Sequence, residues 1–337
     1  MWKLVMGLIC SWVLVLLIGK KTIMALRRLH FGQTIYDLGP QAHKGKQGTP
    51  IMGGLMMACA VLIMSLCFHP TPFSGVWDFT LALLAMSLLS MAIGFADDYT
   101  KAVRKQHEGL KPKQKLFLQI PLSALFAFYC YKNPCIGSRV LLPFSGTEWE
   151  LGIFYIPLMT LLGIFIVNSC NLQDGVDGLL STVTAVSMPG WAALGILVFM
   201  LRPGEAAGEN HLNLASFALC LSGAAMGFLR FNRHPAKVFM GDTGSMFIGG
   251  AVAALAMLTR QPFLLLFLAI GPIASSVSVI IQRIYFKLTH GKRIFRMSPI
   301  HHHFELSGYS ETQIVSMYAC VTLVFTLAAV LIQIRIG

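Results

Sequence analysis

The sequence has 337 residues, of which 55% are hydrophobic and only 12% are charged, and its mean hydropathy is +0.69. Soluble domains usually carry charge on roughly 25% of their residues, so this composition excludes an ordinary soluble protein and indicates a membrane protein. The formal net charge of +12 favours an anionic partner, and the small polar surface argues against nucleic acid. The eight cysteines form no CxxC pair, which favours buried thiols over a disulfide or metal site.

Apolar runs with few or no charges follow one another from one end of the chain to the other. They lie at 4–19, 51–68, 79–96, 116–131, 151–167, 179–201, 212–229, 243–258, 262–281 and 312–334. A transmembrane helix needs about 20 residues, so one of the shorter runs could instead be re-entrant or buried. The sequence therefore predicts an all-α polytopic membrane protein, with a single domain over residues 1–337 and about ten transmembrane helices.

Lysine and arginine are distributed unequally between the two faces of such a domain. The five loops at one face hold 20 of the 26 basic residues and, with Asp97 and Asp242 at their borders, nine of the 14 acidic residues. These loops are residues 19–50, 98–115, 168–178, 230–240 and 282–311. Because basic loops stay in the cytoplasm, we expect these five loops inside, both termini outside and the reactive groups at the inner face.

One outward loop has the pattern of a small hairpin. Within residues 137–152, a short apolar segment and Trp149 flank the turn residues Ser145 and Gly146. Such a pattern predicts two short strands around a turn. The remaining outward loops are short and read as connectors.

Two adjacent acids, Asp97 and Asp98, follow the apolar run 79–96 directly. A carboxylate at mid-bilayer costs roughly 2.5 to 3.5 kcal/mol, so the pair should lie at the cytoplasmic end of its helix. Adjacent carboxylates repel each other unless they share a proton or a cation. The pair is therefore a candidate catalytic site, and a solvated helix end is the alternative.

Four polar residues recur every third position after the run 151–167. They are Asn168, Asn171, Asp174 and Asp177. On a helical turn this spacing places their polar ends along one face, where they can bind a base or a sugar hydroxyl. Capping of two helix ends uses the same residue types and remains the alternative.

Asp242 lies between glycines at the start of the apolar run 243–258. Magnesium takes one or two protein carboxylates and leaves its other positions to water and phosphate, so a small-residue loop of this kind suits it. N-capping of the following helix is the competing explanation for Asp242.

Two further segments carry candidate substrate contacts. His301, His302 and His303 are consecutive in a basic loop, so they point in different directions and suit phosphate or ribose better than one shared metal. A structural role for these histidines stays open. Lys46 and Thr49 stand in a glycine-rich turn before the second run, which taken alone is only a loop that enters a helix.

Five of these segments, in this order, resemble the phospho-N-acetylmuramoyl-pentapeptide-transferase family, within the wider group of polyprenyl-phosphate N-acetylhexosamine-1-phosphate transferases. They are K-Q-G-T-P-I-M-G-G (46–54), F-A-D-D-Y-T-K (95–101), N-S-C-N-L-Q-D-G-V-D-G-L (168–179), F-N-R-H-P-A-K-V-F-M-G-D-T-G-S (231–245) and P-I-H-H-H-F-E (299–305). Each segment alone is weak, whereas the ordered set is specific. Gln173, Ile51 and Tyr36 depart from the usual family residues, which puts fine substrate contacts in doubt and not the reaction.

The resemblance implies ten transmembrane helices around a cytoplasmic-facing cleft, a homodimer, and a magnesium ligand at Asp242 beside the essential acids Asp97 and Asp98. It also implies nucleotide-sugar contacts at Lys46, Asn171, Asp174, Asp177, Asn232, Phe239, His301 and His302, and basic positions near the diphosphate at Lys101 and Lys115. From the residue patterns we add Thr49, Asn168 and His303 as substrate-binding candidates.

The implied reaction transfers phospho-N-acetylmuramoyl-pentapeptide from uridine-diphospho-N-acetylmuramoyl-pentapeptide to undecaprenyl phosphate, in the bacterial inner membrane. We expect lipid I and uridine monophosphate as products, with Mg²⁺ as cofactor and membrane lipid as surroundings. Direct attack by the lipid phosphate, with Asp97 as base and Asp98 orienting it or assisting the metal, competes with a covalent aspartyl-phosphate route. A sister enzyme that transfers N-acetylglucosamine-1-phosphate is the functional alternative, and a transporter is the alternative of another class.

Overall fold

A computed structural model describes residues 1–29, 46, 48–104 and 109–336 of the chain. The first inward loop therefore lies largely outside the described residues, and the family departure at Tyr36 lies outside them too. Within the described ranges the chain forms twelve α-helices. They are α1 Trp2–Arg28, α2 Gly54–Cys67, α3 Phe79–Arg104, α4 Pro112–Lys132, α5 Tyr155–Gln173, α6 Leu179–Leu201, α7 Ala206–Asn232, α8 Gly241–Leu258, α9 Leu265–Leu268, α10 Ile270–Leu288, α11 Ile300–Glu305 and α12 Glu311–Ile336.

Each of the ten apolar runs falls largely within one of these helices or, for 262–281, within the pair α9 and α10. Seven described helices, α1, α3, α5, α6, α7, α8 and α12, are long and apolar enough to cross a membrane. An eighth span results if α9 and α10 count as one span that bends by 93°. α2 has only 14 residues, and α4 is outside this set. The all-α polytopic architecture is confirmed, while the number ten for the crossing helices stays a prediction.

The predicted hairpin is confirmed in the loop between α4 and α5. Strand β1 (Arg139–Leu141) pairs antiparallel with β2 (Glu148–Glu150), and Val140 lies opposite Trp149. The backbone N–H of Leu141 also donates to the carbonyl of Arg260, 2.8 Å away, beyond the end of α8. The hairpin is therefore attached to the end of the bundle where α8 finishes.

Helix α8 is the centre of the bundle, because 89% of its apolar span is buried, compared with 28% for α1 and for α12. α3 and α5 both pack against it. At Gly94 the backbones come so close that a Cβ would overlap the carbonyl of Asp242, so only glycine fits the contact. This approach brings the last turns of α3 against the start of α8.

The helix ends that carry the predicted site meet at one end of the bundle, which we name the site face. There α3, α5 and α7 end, while α4, α6, α8, α11 and α12 begin. The residues that join them approach one another across the chain, as the side-chain contacts below show. The predicted site residues with described positions lie at or near this face.

Candidate active site

Asp98 holds the start of α8 to the end of α3. Its carboxylate accepts hydrogen bonds from the backbone N–H groups of Asp242 (3.1 Å) and Thr243 (2.9 Å), and from the Thr243 hydroxyl (2.7 Å). These amides belong to the first turn of a helix, which has no backbone acceptor of its own to offer them. Asp98 is 2% exposed and Asp97 is 0% exposed, so the solvated helix end considered from the sequence is wrong.

Asp97 lies one residue earlier on α3 and faces two lysines. Lys101 Nζ is 2.6 Å from its Oδ2 atom, and Lys115 Nζ, from α4, is 3.1 Å from the same oxygen. The backbone N–H of Leu110 donates to Oδ1 at 2.7 Å. Burial would strongly disfavour this carboxylate without partners, so the lysines of α3 and α4 are what permit it.

Asp242 completes the group from the first turn of α8. Its Oδ2 atom is 2.5 Å from Lys115 Nζ and 3.2 Å from Lys101 Nζ, and Asn171 Nδ2 donates to Oδ1 at 2.9 Å. The side chain therefore faces α3, α4 and α5, while the capping of α8 that competed with this role comes from Asp98. We name Asp97, Asp98, Asp242, Lys101 and Lys115 the acid centre.

The donor set of the acid centre fits a magnesium ion. One ligand oxygen from each of Asp97, Asp98 and Asp242 lies within 4.8 Å of the others. When all are ionised, three carboxylates face two ammonium groups, which leaves one formal negative charge for a cation to offset. Carboxylate oxygen is the protein ligand that magnesium prefers. Asp242 is best suited to hold the ion, since Asp98 already binds the start of α8.

The polar row after α5 divides between neighbours instead of forming one continuous surface. Asn171 donates to Asp242 and, at 2.9 Å, to the Ser245 hydroxyl. Asn168 turns to α4, where it donates to Gln119 Oε1 at 2.9 Å. Asn171 thus belongs to the acid centre, and Asn168 joins α4 to α5.

Asp174 follows the last residue of α5 and is half-buried among other acids. Burial, reinforced by the negative charges of Asp242, Asp98 and Asp177, raises the pKa of Asp174 from its ordinary value of 3.8 to about 8. A carboxyl group in this state can donate a hydrogen bond near neutral pH. Such a donor suits the carbonyl groups of a nucleobase.

A second polar group surrounds Lys46. Its Nζ atom is 2.7 Å from Asp177 and 2.8 Å from Glu311 at the start of α12. His234 Nδ1 lies 3.2 Å from both carboxylates, and Ala236 donates its backbone N–H to Asp177 at 3.0 Å. We name Lys46, Asp177, His234 and Glu311 the Lys46 cluster. It joins four segments that are remote in the sequence.

The three histidines separate into two groups on α11. The rings of His301 and His302 lie 4.3 Å apart, and both Nε2 atoms face Gly175, next to Asp174. His303 instead accepts the backbone N–H of Arg296 at 3.1 Å. The expectation that the three imidazoles point in different directions agrees with this arrangement.

Comparisons with known proteins identify the family. The family model for glycosyl transferase family 4 matches residues 80–260. A protein of Clostridium kluyveri is 38% identical over 331 residues, covering 98% of this chain and 99% of its own length. Proteins of Clostridium novyi (39%, covering 99% of this chain and 98% of their own length) and a Thermoanaerobacter species (40%, 96% and 96%) are similarly close. All three carry the name phospho-N-acetylmuramoyl-pentapeptide-transferase. The chain belongs to this transferase family.

The sequence similarity to the three transferases extends over nearly the whole chain and so includes both polar groups. The match to the family model, residues 80–260, includes the acid centre and only part of the Lys46 cluster. Of the predicted residues, the structure brings Asp97, Asp98, Lys101, Lys115, Asn171 and Asp242 together, and separately Lys46 with Asp177. His301 and His302 lie beside Gly175, the residue after Asp174. The substrate contacts assigned to all these residues remain predictions.

Other predicted residues hold loops in place. Asn232 is 2% exposed; its Oδ1 accepts from the Ser181 hydroxyl at 2.8 Å and its Nδ2 donates to the Val238 carbonyl at 3.1 Å. The backbone of Phe239 forms hydrogen bonds with the segment that enters α2. The backbone N–H of Thr49 donates to the Lys46 carbonyl at 3.2 Å. Their roles in substrate binding stay predictions beside these structural roles.

Sequence reasoning missed Glu311 and His234 as members of the site. Glu311 is the acid at the first position of an apolar run, where an unpaired carboxylate is costly, and that cost is a usable signal. His234 stands inside the family segment 231–245 but was not singled out. Thr243 and Ser245, from the same segment, contact Asp98 and Asn171. Short polar side chains of this kind carry no comparable signal.

Proposed function

We propose that this chain transfers phospho-N-acetylmuramoyl-pentapeptide from uridine-diphospho-N-acetylmuramoyl-pentapeptide to undecaprenyl phosphate, with lipid I and uridine monophosphate as products. The acid centre is the observation that carries the proposal, because its two lysines and its magnesium-type donor set suit a reaction between two phosphates. The relatives share the name of this activity over nearly the full length of the chain, which favours it over transfer of N-acetylglucosamine-1-phosphate.

Charge is the main obstacle that the site must overcome. At about 4 Å and an effective dielectric constant of about 20, each pair of like unit charges costs about 4 kcal/mol. The ammonium groups of Lys101 and Lys115 lie within the acid centre, where they can form ion pairs with the substrate phosphates. Magnesium, when bound, would supply further positive charge to the phosphate oxygens. Positioning and neutralisation then provide most of the catalysis.

The carboxylates of the acid centre take different roles in this proposal. Asp97 is the base that removes the remaining proton of the lipid phosphate, whose oxygen then attacks the sugar-bearing phosphorus as uridine monophosphate departs. Asp242 holds the metal ion. Asp98 keeps Asp242 in position through the start of α8. A covalent intermediate on Asp97 is the alternative route, and trapping of a phosphorylated enzyme in the absence of the lipid would favour it.

The nucleotide end of the substrate belongs, in this proposal, at the Lys46 cluster. Protonated Asp174 would donate to the uracil, while His301 and His302 would contact the phosphate or the sugar.

The cleft opens to the cytoplasm, ten helices cross the inner membrane with both termini outside, and the chain works as a homodimer. The 20 basic residues on the five loops support this orientation. A single cysteine introduced at position 292 of an otherwise cysteine-free protein tests the orientation. Its labelling by a membrane-impermeant reagent added outside intact cells would contradict a cytoplasmic site face.

One assay tests the reaction directly. Purified protein is incubated with uridine-diphospho-N-acetylmuramoyl-pentapeptide, undecaprenyl phosphate and magnesium, and the release of uridine monophosphate is measured together with the lipid-linked product. We expect both products, and neither without undecaprenyl phosphate. Turnover of uridine-diphospho-N-acetylglucosamine in place of the muramoyl substrate would replace the proposed function by its alternative.

A further inference from the structure

A cavity of about 450 Å³ lies at the site face beside the Lys46 cluster and outside the acid centre. Three elements form its wall: the first turn of α6 at Thr182, the end of α7 with the loop that follows, and the start of α12. From α12 the lining residues are Thr312, Val315 and Ser316. Asp177 and His234 of the Lys46 cluster line one side of the cavity, where the proposed reaction places the nucleotide. The remaining lining residues have no role in that reaction, so a second ligand is considered for their part of the cavity.

Three exposed cations line the cavity, namely Arg230 in the last turn of α7, and Arg233 and Lys237 in the following loop. Among the residues that the structure describes, no carboxylate forms an ion pair with any of the three. The carboxylate in the wall, Asp177, is already paired with Lys46 at 2.7 Å. The cavity therefore presents positive charge that the described chain does not offset.

The cations stand beside apolar groups at the depth where spanning helices end. Leu229 and Phe231 flank Arg230 in the last turns of α7, and Val315 faces them from α12. A charged edge next to an apolar wall matches the membrane interface, where a lipid phosphate meets its acyl chains. A water-soluble anion would need the charged edge but not the apolar wall.

Partly exposed apolar side chains continue from the cavity along α6 and its two neighbours, and we name this stripe the groove on α6. α6 packs against both α7 and α12. One turn further from the site face, Val186 of α6, Met226 of α7 and Ala319 of α12 each keep exposed surface. The partly exposed stripe continues on α6 through Pro189 and Ala193. Because the side chains of this stripe on α6 are compact, they leave room for an acyl chain between its two neighbours.

We propose that the cavity binds the headgroup of an anionic phospholipid of the inner leaflet. The phosphate lies against Arg230, Arg233 and Lys237, and an acyl chain follows the groove on α6. Basic pockets between transmembrane helices at the cytoplasmic face hold anionic headgroups in this way. The peptide of the proposed nucleotide substrate, with its terminal carboxylate, is the other candidate occupant. The apolar wall and the groove favour the lipid.

Native mass spectrometry of the purified full-length protein tests this site, with phosphatidylglycerol titrated in one series and phosphatidylcholine in another. The double variant Arg230→Gln/Lys237→Gln should bind phosphatidylglycerol about 30-fold more weakly, which corresponds to about 2 kcal/mol at about 1 kcal/mol for each basic residue. Its binding of phosphatidylcholine should not change. The matched control is Lys132→Gln/Arg202→Gln. It removes two exposed cations at the ends of α4 and α6 that lie away from the site face.

The proposal predicts wild-type behaviour for the control. If the double variant keeps its preference for phosphatidylglycerol, or if the control loses that preference equally, the headgroup site does not exist. Displacement of bound phosphatidylglycerol by uridine-diphospho-N-acetylmuramoyl-pentapeptide would overturn the lipid assignment and give the cavity to the substrate peptide. These binding measurements require no turnover, so their outcome is distinguishable from a failure of the proposed reaction.

Discussion

The acid centre and the Lys46 cluster both join remote parts of the chain, yet they satisfy their carboxylates in opposite ways. In the Lys46 cluster, Asp177 and Glu311 are met by an ammonium group, an imidazole and backbone N–H donors from the chain itself. In the acid centre, three carboxylates share two lysines, and the Asp98 oxygens are committed to α8. Both groups bring three possible ligand atoms within 4.8 Å of one another, but in the Lys46 cluster a lysine and backbone N–H donors already occupy the carboxylates, so the acid centre is the better cation site.

This difference separates two kinds of contribution to one reaction. A group that is complete in the free protein provides a fixed surface, which suits recognition of the nucleotide. A group with unmatched negative charge suits the transfer step, where a metal ion and phosphates arrive together. Changes in the acid centre should therefore lower turnover, whereas changes around Lys46 should weaken binding.

The largest effect is expected from Asp97→Asn. The amide keeps the size of the side chain but cannot accept the proton of the lipid phosphate, so kcat should fall by roughly 10² to 10⁴ while nucleotide affinity stays nearly unchanged. Isothermal titration with the nucleotide substrate, together with steady-state kinetics, measures both quantities. The companion variant Asp174→Asn should weaken nucleotide binding as well as turnover. If Asp97→Asn abolished binding while Asp174→Asn bound normally, these two roles would have to be exchanged.

Removal of the metal ligand should have the next largest effect. Asp242→Asn is expected to retain less than about a tenth of wild-type activity at saturating magnesium, since the amide binds the ion more weakly than a carboxylate. Release of uridine monophosphate is the readout, and magnesium should raise the thermal stability of the wild type but not of the variant. Glu150→Gln, on the exposed hairpin, is the control. Activity of Asp242→Asn above a tenth would count against Asp242 as the ligand.

A smaller effect, confined to binding, should follow from Glu311→Gln. Lys46 then loses one of its two carboxylate partners, and the KM for the nucleotide should rise about tenfold, or about 1.4 kcal/mol, with little change in kcat. Steady-state kinetics with both substrates varied would separate the two parameters. Glu205→Gln, at an exposed ion pair far from the site, should leave both unchanged. A fall in kcat alone would remove Glu311 from the nucleotide site.

The smallest effect concerns the pH dependence of stability. The folded protein raises the pKa of Asp174 from 3.8 to about 8, so it holds this proton more tightly than the unfolded chain does. Stability should therefore fall as the pH rises through this window, and the loss should level off above about pH 8. As the pH is raised, the thermal unfolding temperature of the wild type should fall by a few degrees relative to that of Asp174→Asn. Parallel curves for the two proteins would contradict the raised pKa.

Much of the architecture could be predicted because lipid imposes it on the sequence. A backbone in hydrocarbon must satisfy its own hydrogen bonds, so each apolar run became helix, and the turn residues near Ser145 marked the hairpin. The bend of 93° between α9 and α10 was not predicted. Apolar character alone does not reveal this break, but Gly271 and Pro272 in the first turn of α10 are a sequence signal of it that the reading by apolar runs did not use.

The site was predictable in its residue types and less so in its pairings. Asp98 contacts Thr243 across 145 positions, and Lys46 contacts Glu311 across 265. Local spacing is silent about such distances, so the contact of Asp98 with the start of α8 emerged only from the fold. The row from Asn168 to Asp177 shows the same limit, since its members face three different neighbours.

The bond between Asp98 and the start of α8 also sets an order of events during synthesis. At roughly 5 to 20 residues per second, the 145 positions between Asp98 and Thr243 take about 7 to 29 s to translate. During that interval α3 is already synthesised, while the residues that will donate hydrogen bonds to Asp98 are not. The nascent chain must keep this carboxylate hydrated at the membrane surface. A chain that stops before residue 242 has neither donor residue, so Asp98 in such a fragment lacks the hydrogen bonds that it makes in the complete fold.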